Sequence, residues 1–194
     1  VFPTKEYDQN GIFSGSALEK DGELLLYYSA VKYLSVDENN IHCAEGDDYV
    51  TSQAMIRSYD GFHFDNWKDK KEIIPVSRVE EIAHSKHTRD PKVWEEDGMY
   101  YMILGSTIAE KAGRVVFYRS SDAVHWEYVN QYRGGRYGRI LECPDLFKIG
   151  NDRVFMGSPM YILDDGKEYM HNALCALAEF EPKTCDLSLP GKYQ

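Results

Sequence analysis

Between residues 89 and 106 the chain passes from Arg89-Asp90-Pro91-Lys92-Val93-Trp94-Glu95-Glu96 through Asp97-Gly98 into Met99-Tyr100-Tyr101-Met102-Ile103-Leu104-Gly105-Ser106. Two strand-like runs around an Asp-Gly dipeptide predict a tight β-hairpin. The second run is continuously apolar, as expected of a strand buried on both faces. The first opens with an arginine and an acid, which do not belong in such a layer unless they point into a site. Residues 14–30 repeat the unit: Asp21-Gly22 superimposes on Asp97-Gly98 (97 − 21 = 76), and another apolar, tyrosine-bearing run follows. A third copy leads from Cys143-Pro144-Asp145-Leu146-Phe147-Lys148 through a Gly150-Asn151-Asp152 turn into Arg153–Ser158.

A second element recurs with it. Arg57-Ser58-Tyr59-Asp60-Gly61-Phe62-His63-Phe64 matches Arg119-Ser120-Ser121-Asp122-Ala123-Val124-His125-Trp126 at a constant offset (119 − 57 = 62). Each copy lies between strand-like pieces and reads as a structural turn, so each unit holds about four strands. Four short strands repeating at this period predict an all-β fold of propeller blades, roughly 11–75, 86–133 and 140–190. Three blades are too few to close a ring, which takes about four to eight. Residues 1–194 are therefore read as an incomplete propeller domain, cut from a longer chain, with missing blades on both sides. Val1–Gly11 and Lys183–Gln194 read as connectors, and 31–50, 159–170 and 107–113 as loops. Uncovered blade faces invite self-association.

Composition narrows the partners. Fifteen tyrosines, eight phenylalanines and three tryptophans suit β-structure. A net charge of −10 argues against nucleic acid or an anionic membrane as partner and leaves a sugar-like ligand open. No apolar run approaches the ~20 residues of a membrane-spanning helix. Cys43, Cys143, Cys175 and Cys185 lack the paired spacing of a zinc site and read as reduced, mostly buried thiols of a cytoplasmic protein.

In a propeller the first strand of each blade lines the central channel. The polar groups opening these strands, Phe13-Ser14-Gly15-Ser16, Arg89-Asp90 and Glu142-Cys143-Pro144-Asp145, would then face one cavity. Counted from the turns, Ser14 falls on Asp90, and Asp90 and Glu142 are taken to hold the same place in the repeat. Converging carboxylates with an arginine and hydroxyls can hold and protonate a sugar; taken singly, either acid also reads as a blade-end cap or surface ion pair.

These three segments, in this order, resemble the signature blocks of glycoside hydrolase family 32, the invertases, sucrose-6-phosphate hydrolases, levanases and inulinases. Gly11, Arg119-Ser120-Ser121-Asp122 and Trp126 fit the same pattern, and the likeness covers nearly the whole chain. It implies a five-bladed propeller that cleaves a terminal β-fructofuranosyl unit with retention, needing no cofactor and no metal. Glu142 would be the general acid/base, starting protonated in an environment that raises its pKa. Asp90 would grip fructose hydroxyls in the transition state. Arg89 would orient the sugar and keep Asp90 ionised, Phe13 and Ser14 would line its site, and Cys143 would sit at the substrate and tune Glu142.

One departure stands out. The family's nucleophile sits in a Trp-x-Asn-Asp-Pro-Asn-Gly-like block on the first blade, which has no counterpart here. Asn151-Asp152 falls in a hairpin turn on the wrong side of its blade. Retaining hydrolysis needs a second carboxylate about 5–5.5 Å from the acid/base. The expectation is a piece of a retaining β-fructofuranosidase acting on sucrose, sucrose 6-phosphate or fructans, inactive alone for want of the nucleophile. The alternatives are a non-catalytic carbohydrate-binding or assembly module, and a related five-bladed arabinofuranosidase or xylosidase. His84 and His87 offer metal ligands but read as a surface loop. Arg133, Arg136 and Arg139 could hold a phosphorylated sugar, though such a loop is more often a solvated turn. Trp67 and Trp94 read as blade packing rather than sugar platforms.

Overall fold

The computed structural model describes residues 1–134 and 137–190, and their strands form three antiparallel sheets and a small hairpin. The first sheet takes β1 (Gly11–Lys20) and β2 (Glu23–Tyr33). The hairpin β3 (Val36–Asp37) and β4 (Asn40–Ala44) follows, and then β5 (Tyr49–Ser58) and β6 (Lys70–Ile74) complete the order β1-β2-β5-β6. The second comprises β7 (Arg89–Glu96), β8 (Met99–Ile108), β9 (Ala112–Ser120) and β10 (Glu127–Tyr132), in chain order. In the third, β11 (Ile140–Ile149) pairs β12 (Asp152–Asp164). The two halves of β12 then pair β14 (Leu174–Glu181) and β13 (Lys167–His171), and β15 (Asp186–Ser188) closes the outer edge.

The hairpins form where the Asp-Gly pairs predict them. Asp21 and Gly22 have φ of 54° and 82°, and Asp97 and Gly98 have 52° and 76°, the doubly left-handed pattern of a type I′ turn. The Ser-x-Asp elements also share one geometry. The Asp60 carboxylate accepts from the N–H groups of Phe62 (2.9 Å) and His63 (2.8 Å), and Asp122 does the same for Val124 (2.9 Å) and His125 (2.8 Å). Each acid fixes the turn between the third and fourth strands of its sheet.

Burial on both faces accounts for the apolar run of β8. Tyr101 and Ile103 point toward the third sheet, meeting Leu141, Leu146, Phe155 and Leu187 in one buried cluster. Met102 and Leu104 point the other way, joining Leu25, Tyr27 and Met55 of the first sheet. Trp94 stacks on Tyr101 at 5.5 Å and meets Phe180 edge-on at 5.8 Å, so it packs between sheets. Trp67 is exposed and contacts Phe2. The strands β1, β7 and β11 lie side by side: the Val93 N–H donates to Ser16 Oγ at 3.0 Å, and Lys92 pairs with Asp145 at 3.0 Å.

Several expectations need correction. Val1–Gly11 is not a bare connector. Asp8, fully buried, accepts from the N–H groups of Thr4 (2.9 Å) and Lys5 (2.8 Å), from Tyr28 OH (2.9 Å) and from Lys70 Nζ (2.6 Å), clasping the N-terminal segment to the first sheet. Of Lys183–Gln194, the part 186–188 is β15, with Leu187 and the preceding Cys185 in the core, and 191–194 lie outside the described residues. The stretches 31–50 and 159–170 are not loops: β2 and β12 run into them, and they carry β3–β4 and the β12–β13 hairpin, the latter turning at Asp165-Gly166. The thiols are all free, but Cys43, Cys143 and Cys175 are exposed and only Cys185 is buried. Cys175 lies on an open face of the third sheet beside Met156, its partner in register, with Leu177 nearby at 58% exposure.

Candidate active site

Each sheet's first strand carries one extra residue near the same end. Ile12 and Gly15 face Ala30 and Tyr28; Arg89 and Lys92 face Gly105 and Ile103; Glu142 and Asp145 face Ser158 and Met156. In each case two residues lie opposite one, a β-bulge, which bends the strand and re-aims its side chains. In the second and third sheets the bulges superimpose (149 − 96 = 53 at the turns; 142 − 89 = 53 here). Glu142 therefore sits at the register position of Arg89, and Cys143 at that of Asp90. The two acids, expected to hold the same place in the repeat, are one residue apart. Asp90 (φ 63°) and Cys143 (φ 47°) are both left-handed within their bulges. Such non-glycine positions cost about 1–3 kcal/mol each and persist only where the surroundings over-determine them.

The bulges meet around one open hollow of about 470 Å³, lined by Ile12, Phe13, Ser14, Tyr49, Arg89, Asp90, Glu142 and Cys143. The six residues singled out in the sequence are all among them. Arg89 donates to Glu142 Oε1 through Nε (3.1 Å) and Nη2 (2.5 Å). Its Nη1 reaches His87 Nδ1 at 3.0 Å and Tyr49 OH at 3.4 Å. Arg89 thus grips Glu142, not Asp90. Asp90 Oδ2 instead accepts the Cys143 N–H at 2.8 Å, with the thiol at 3.6 Å. Phe13, 41% exposed, meets Tyr49 edge-on at 6.1 Å and forms an apolar lip.

A buried polar layer supports these groups. The Asp90 N–H donates to Ser29 Oγ (2.8 Å), Ser29 Oγ to Gln53 Oε1 (2.7 Å), and Gln53 Nε2 to the Thr88 carbonyl (2.8 Å). Burial raises the pKa of Asp90, and the nearby Glu142 adds to this, against the lowering effects of the Cys143 N–H and Arg89. Burial and then the Asp90 charge push the Cys143 thiol up to about 11, so it is not a ready nucleophile. Burial and the adjacent guanidinium push His87 down to about 4.

The reading of His84 and His87 as a surface loop fails for His87, which is 7% exposed and stands directly behind Arg89. His87 lies in the turn just before β7, two residues from Arg89, and that closeness in the chain was the available signal. Tyr49 gave none, lying in a stretch read as loop. Among the described residues no group of three or more His, Cys, Asp or Glu could hold a metal. Arg139 is paired with Glu168 and stacked near Tyr161; Arg136 lies outside the described residues. A larger hollow of about 750 Å³ on the first sheet's outer face touches Tyr7, Lys32, Val50, Glu72 and Arg78. It lacks the convergent acids and support of the Asp90–Glu142 hollow, which we take as the site.

Antiparallel sheets built on a path of four strands, whose bulged first strands meet at an acid-bearing hollow, define the chain as part of a β-propeller. The family model of the glycosyl hydrolases family 32 N-terminal domain matches residues 1–188, and the chain belongs to that family. It is 32% identical over 175 residues to the sucrose-6-phosphate hydrolase of Bacillus subtilis, covering 87% of this chain and 33% of that enzyme. The β-fructofuranosidase of Bombyx mori, solved also as a mutant with sucrose, superimposes on 100% of the chain and 39% of its own (TM-score 0.75, 28% identity). The sucrose-6-phosphate hydrolase of Lactobacillus gasseri superimposes on 96% of the chain and 36% of its own (TM-score 0.75, 26% identity). The sheets match part of that family's five-bladed propeller. The chain spans about a third of the length of the curated relatives it matches.

Proposed function

We propose that this chain carries the acid/base and sugar-gripping side of a retaining β-fructofuranosidase site, for the terminal fructosyl unit of sucrose, sucrose 6-phosphate or a fructan. The observation that carries the reading is the convergence of Asp90, Arg89 and Glu142, from two neighbouring sheets, on one sugar-sized hollow. Glu142 would protonate the leaving glycosidic oxygen and later take a proton from the attacking water. Asp90, fixed by its bulge and by Ser29 and Cys143, would accept from fructose hydroxyls through bonds that strengthen as positive charge develops on the ring. Arg89 would set the Glu142 carboxylate. Exposed, unpaired thiols support a reducing, cytoplasmic setting.

The carboxylates lining the described hollow are Asp90 and Glu142. Retention needs a further one as nucleophile, about 5–5.5 Å from the acid/base. These 194 residues by themselves are therefore expected not to hydrolyse sucrose. The test is incubation with sucrose and with a fructan beside a Glu142→Gln control. Equal, background fructose in both agrees with the reading, and release above the control refutes it.

A further inference from the structure

Behind the hollow, residues that the proposed chemistry does not use form a line. The Arg89 guanidinium can only donate, so the His87 Nδ1 that it meets at 3.0 Å must carry the lone pair. The proton of neutral His87 is then on Nε2, which faces Glu110 Oε1 at 3.2 Å. His84 is fixed in the same tautomer, because its Nδ1 accepts from the backbone N–H groups of Lys86 and His87, both at 3.2 Å. Its Nε2 faces the same Glu110 oxygen at 3.9 Å, and the two rings lie 5.1 Å apart. With both outward nitrogens carrying hydrogen, the pair offers donors to an acid rather than lone pairs to a metal.

Glu110 is held in place at some cost. Ala109 (φ 48°) and Glu110 (φ 56°) are both left-handed without being glycine. The Lys111 N–H closes the turn on the Ile108 carbonyl at 2.9 Å, and the Ala109 N–H donates to Glu80 Oε1 at 2.8 Å.

We infer that His87 is a positioning residue: its Nδ1 anchors one arm of Arg89 while the other two nitrogens hold Glu142, so that Glu110, His87, Arg89 and Glu142 form one relay from the rim of the second sheet into the hollow. As an account of how the acid/base is held, it rests on the reading of Glu142 given above. The charges facing His87 are Arg89, Lys86, Glu110 and, when protonated, His84, with Tyr49 OH on the same guanidinium arm. Cations outnumber the acid, and His87 stays neutral until about pH 4. A proton on Nδ1 would turn the acceptor into a donor and release that arm.

The test reads exchange of the Arg89 Nε–H with water by ¹⁵N NMR in the whole 194-residue chain. His87→Leu removes the acceptor and is expected to speed exchange about tenfold, the loss of one charge-assisted hydrogen bond. His87→Gln, whose amide oxygen can accept from Nη1, should stay within about threefold of the parent. Should His87→Leu fold poorly, acidification from pH 5.5 to pH 3, which brackets the titration of His87 near pH 4, decides instead. Intrinsic exchange slows on acidification, so the readout is protection relative to free arginine at each pH, which should fall more in the parent than in His87→Gln, carboxylate titration being common to both. Equal exchange in the Leu and Gln variants, or an equal acid response in parent and Gln variant, overturns the relay. Fructose binding is a separate reading: a chain that shows the exchange contrast yet binds no fructose removes the sugar assignment and leaves the relay standing.

Discussion

Gly105 links the packing of the sheets to the geometry of the site, and Gly105→Ala isolates that link. Gly105 faces Arg89 across the β7–β8 ladder and abuts the strand that carries Glu142. A Cβ there would lie 2.2 Å from the Leu141 carbonyl oxygen and 3.1 Å from Glu142 Cα. Contacts below 3.0 Å are essentially unknown, so β11 must retreat by at least 0.8 Å (3.0 − 2.2). Such overpacking costs about 1–3 kcal/mol. The same shift would lengthen the Arg89–Glu142 bond from 2.5 Å to about 3.3 Å (2.5 + 0.8), and weakening it is expected to lower fructose affinity by up to about tenfold. Gly11→Ala is the control, since its Cβ would meet Val31 at an ordinary 3.7 Å. Urea unfolding and fructose titration of both variants make the comparison. A Gly105→Ala chain within about 0.5 kcal/mol of the parent, with unchanged affinity, would refute the close approach.

Three other outcomes follow from the same geometry. Lys70→Met leaves the fully buried Asp8 carboxylate without its cation and should cost about 3–5 kcal/mol by urea unfolding, while Lys5→Met on the surface should cost little; equal, small effects would show the clasp to be weak. Asp90→Asn should raise the melting temperature at pH 7, because a buried acid whose pKa is raised makes ionisation work against folding; a lower melting temperature would count against that environment. His87 is depressed from 6.5 to about 4, so the unfolded chain takes up its proton first and stability falls as pH drops between those values. The fall amounts to about 3 kcal/mol at most and should be smaller in His87→Gln.

The sequence was most informative where a local signal dictates structure. Asp21-Gly22 and Asp97-Gly98 fix their hairpins whatever surrounds them, and β8 advertises two buried faces by its composition. Asp165-Gly166 carries the same turn signal, but the strand after it, β13, is exposed throughout and offers no apolar pattern. The N-terminal segment looked like a connector because Asp8 owes its burial to Lys70, 62 residues away. At the site, residue types and order were legible from the motifs, but their register was not. Both strands carry the bulge, so it does not alter their match: the two acids are alike in type and neighbourhood but not in register, and the counterpart of Asp90 is Cys143 (143 − 90 = 53, as at the turns). His87 and Tyr49 reach Arg89 through tertiary contact, and only the two-residue spacing of His87 hinted at it.

The most direct measurement is an NMR titration of the ¹⁵N-labelled chain with D-fructose, with D-glucose in parallel. The account predicts saturable shifts for fructose, with a dissociation constant of about millimolar order for so small a ligand. They should be confined to Ile12–Ser14, Tyr49, Arg89–Asp90 and Glu142–Cys143, and should weaken at least about tenfold in Asp90→Asn. Shifts that never saturate, that fail to separate the two sugars, or that fall on the Tyr7–Glu72 face would contradict it.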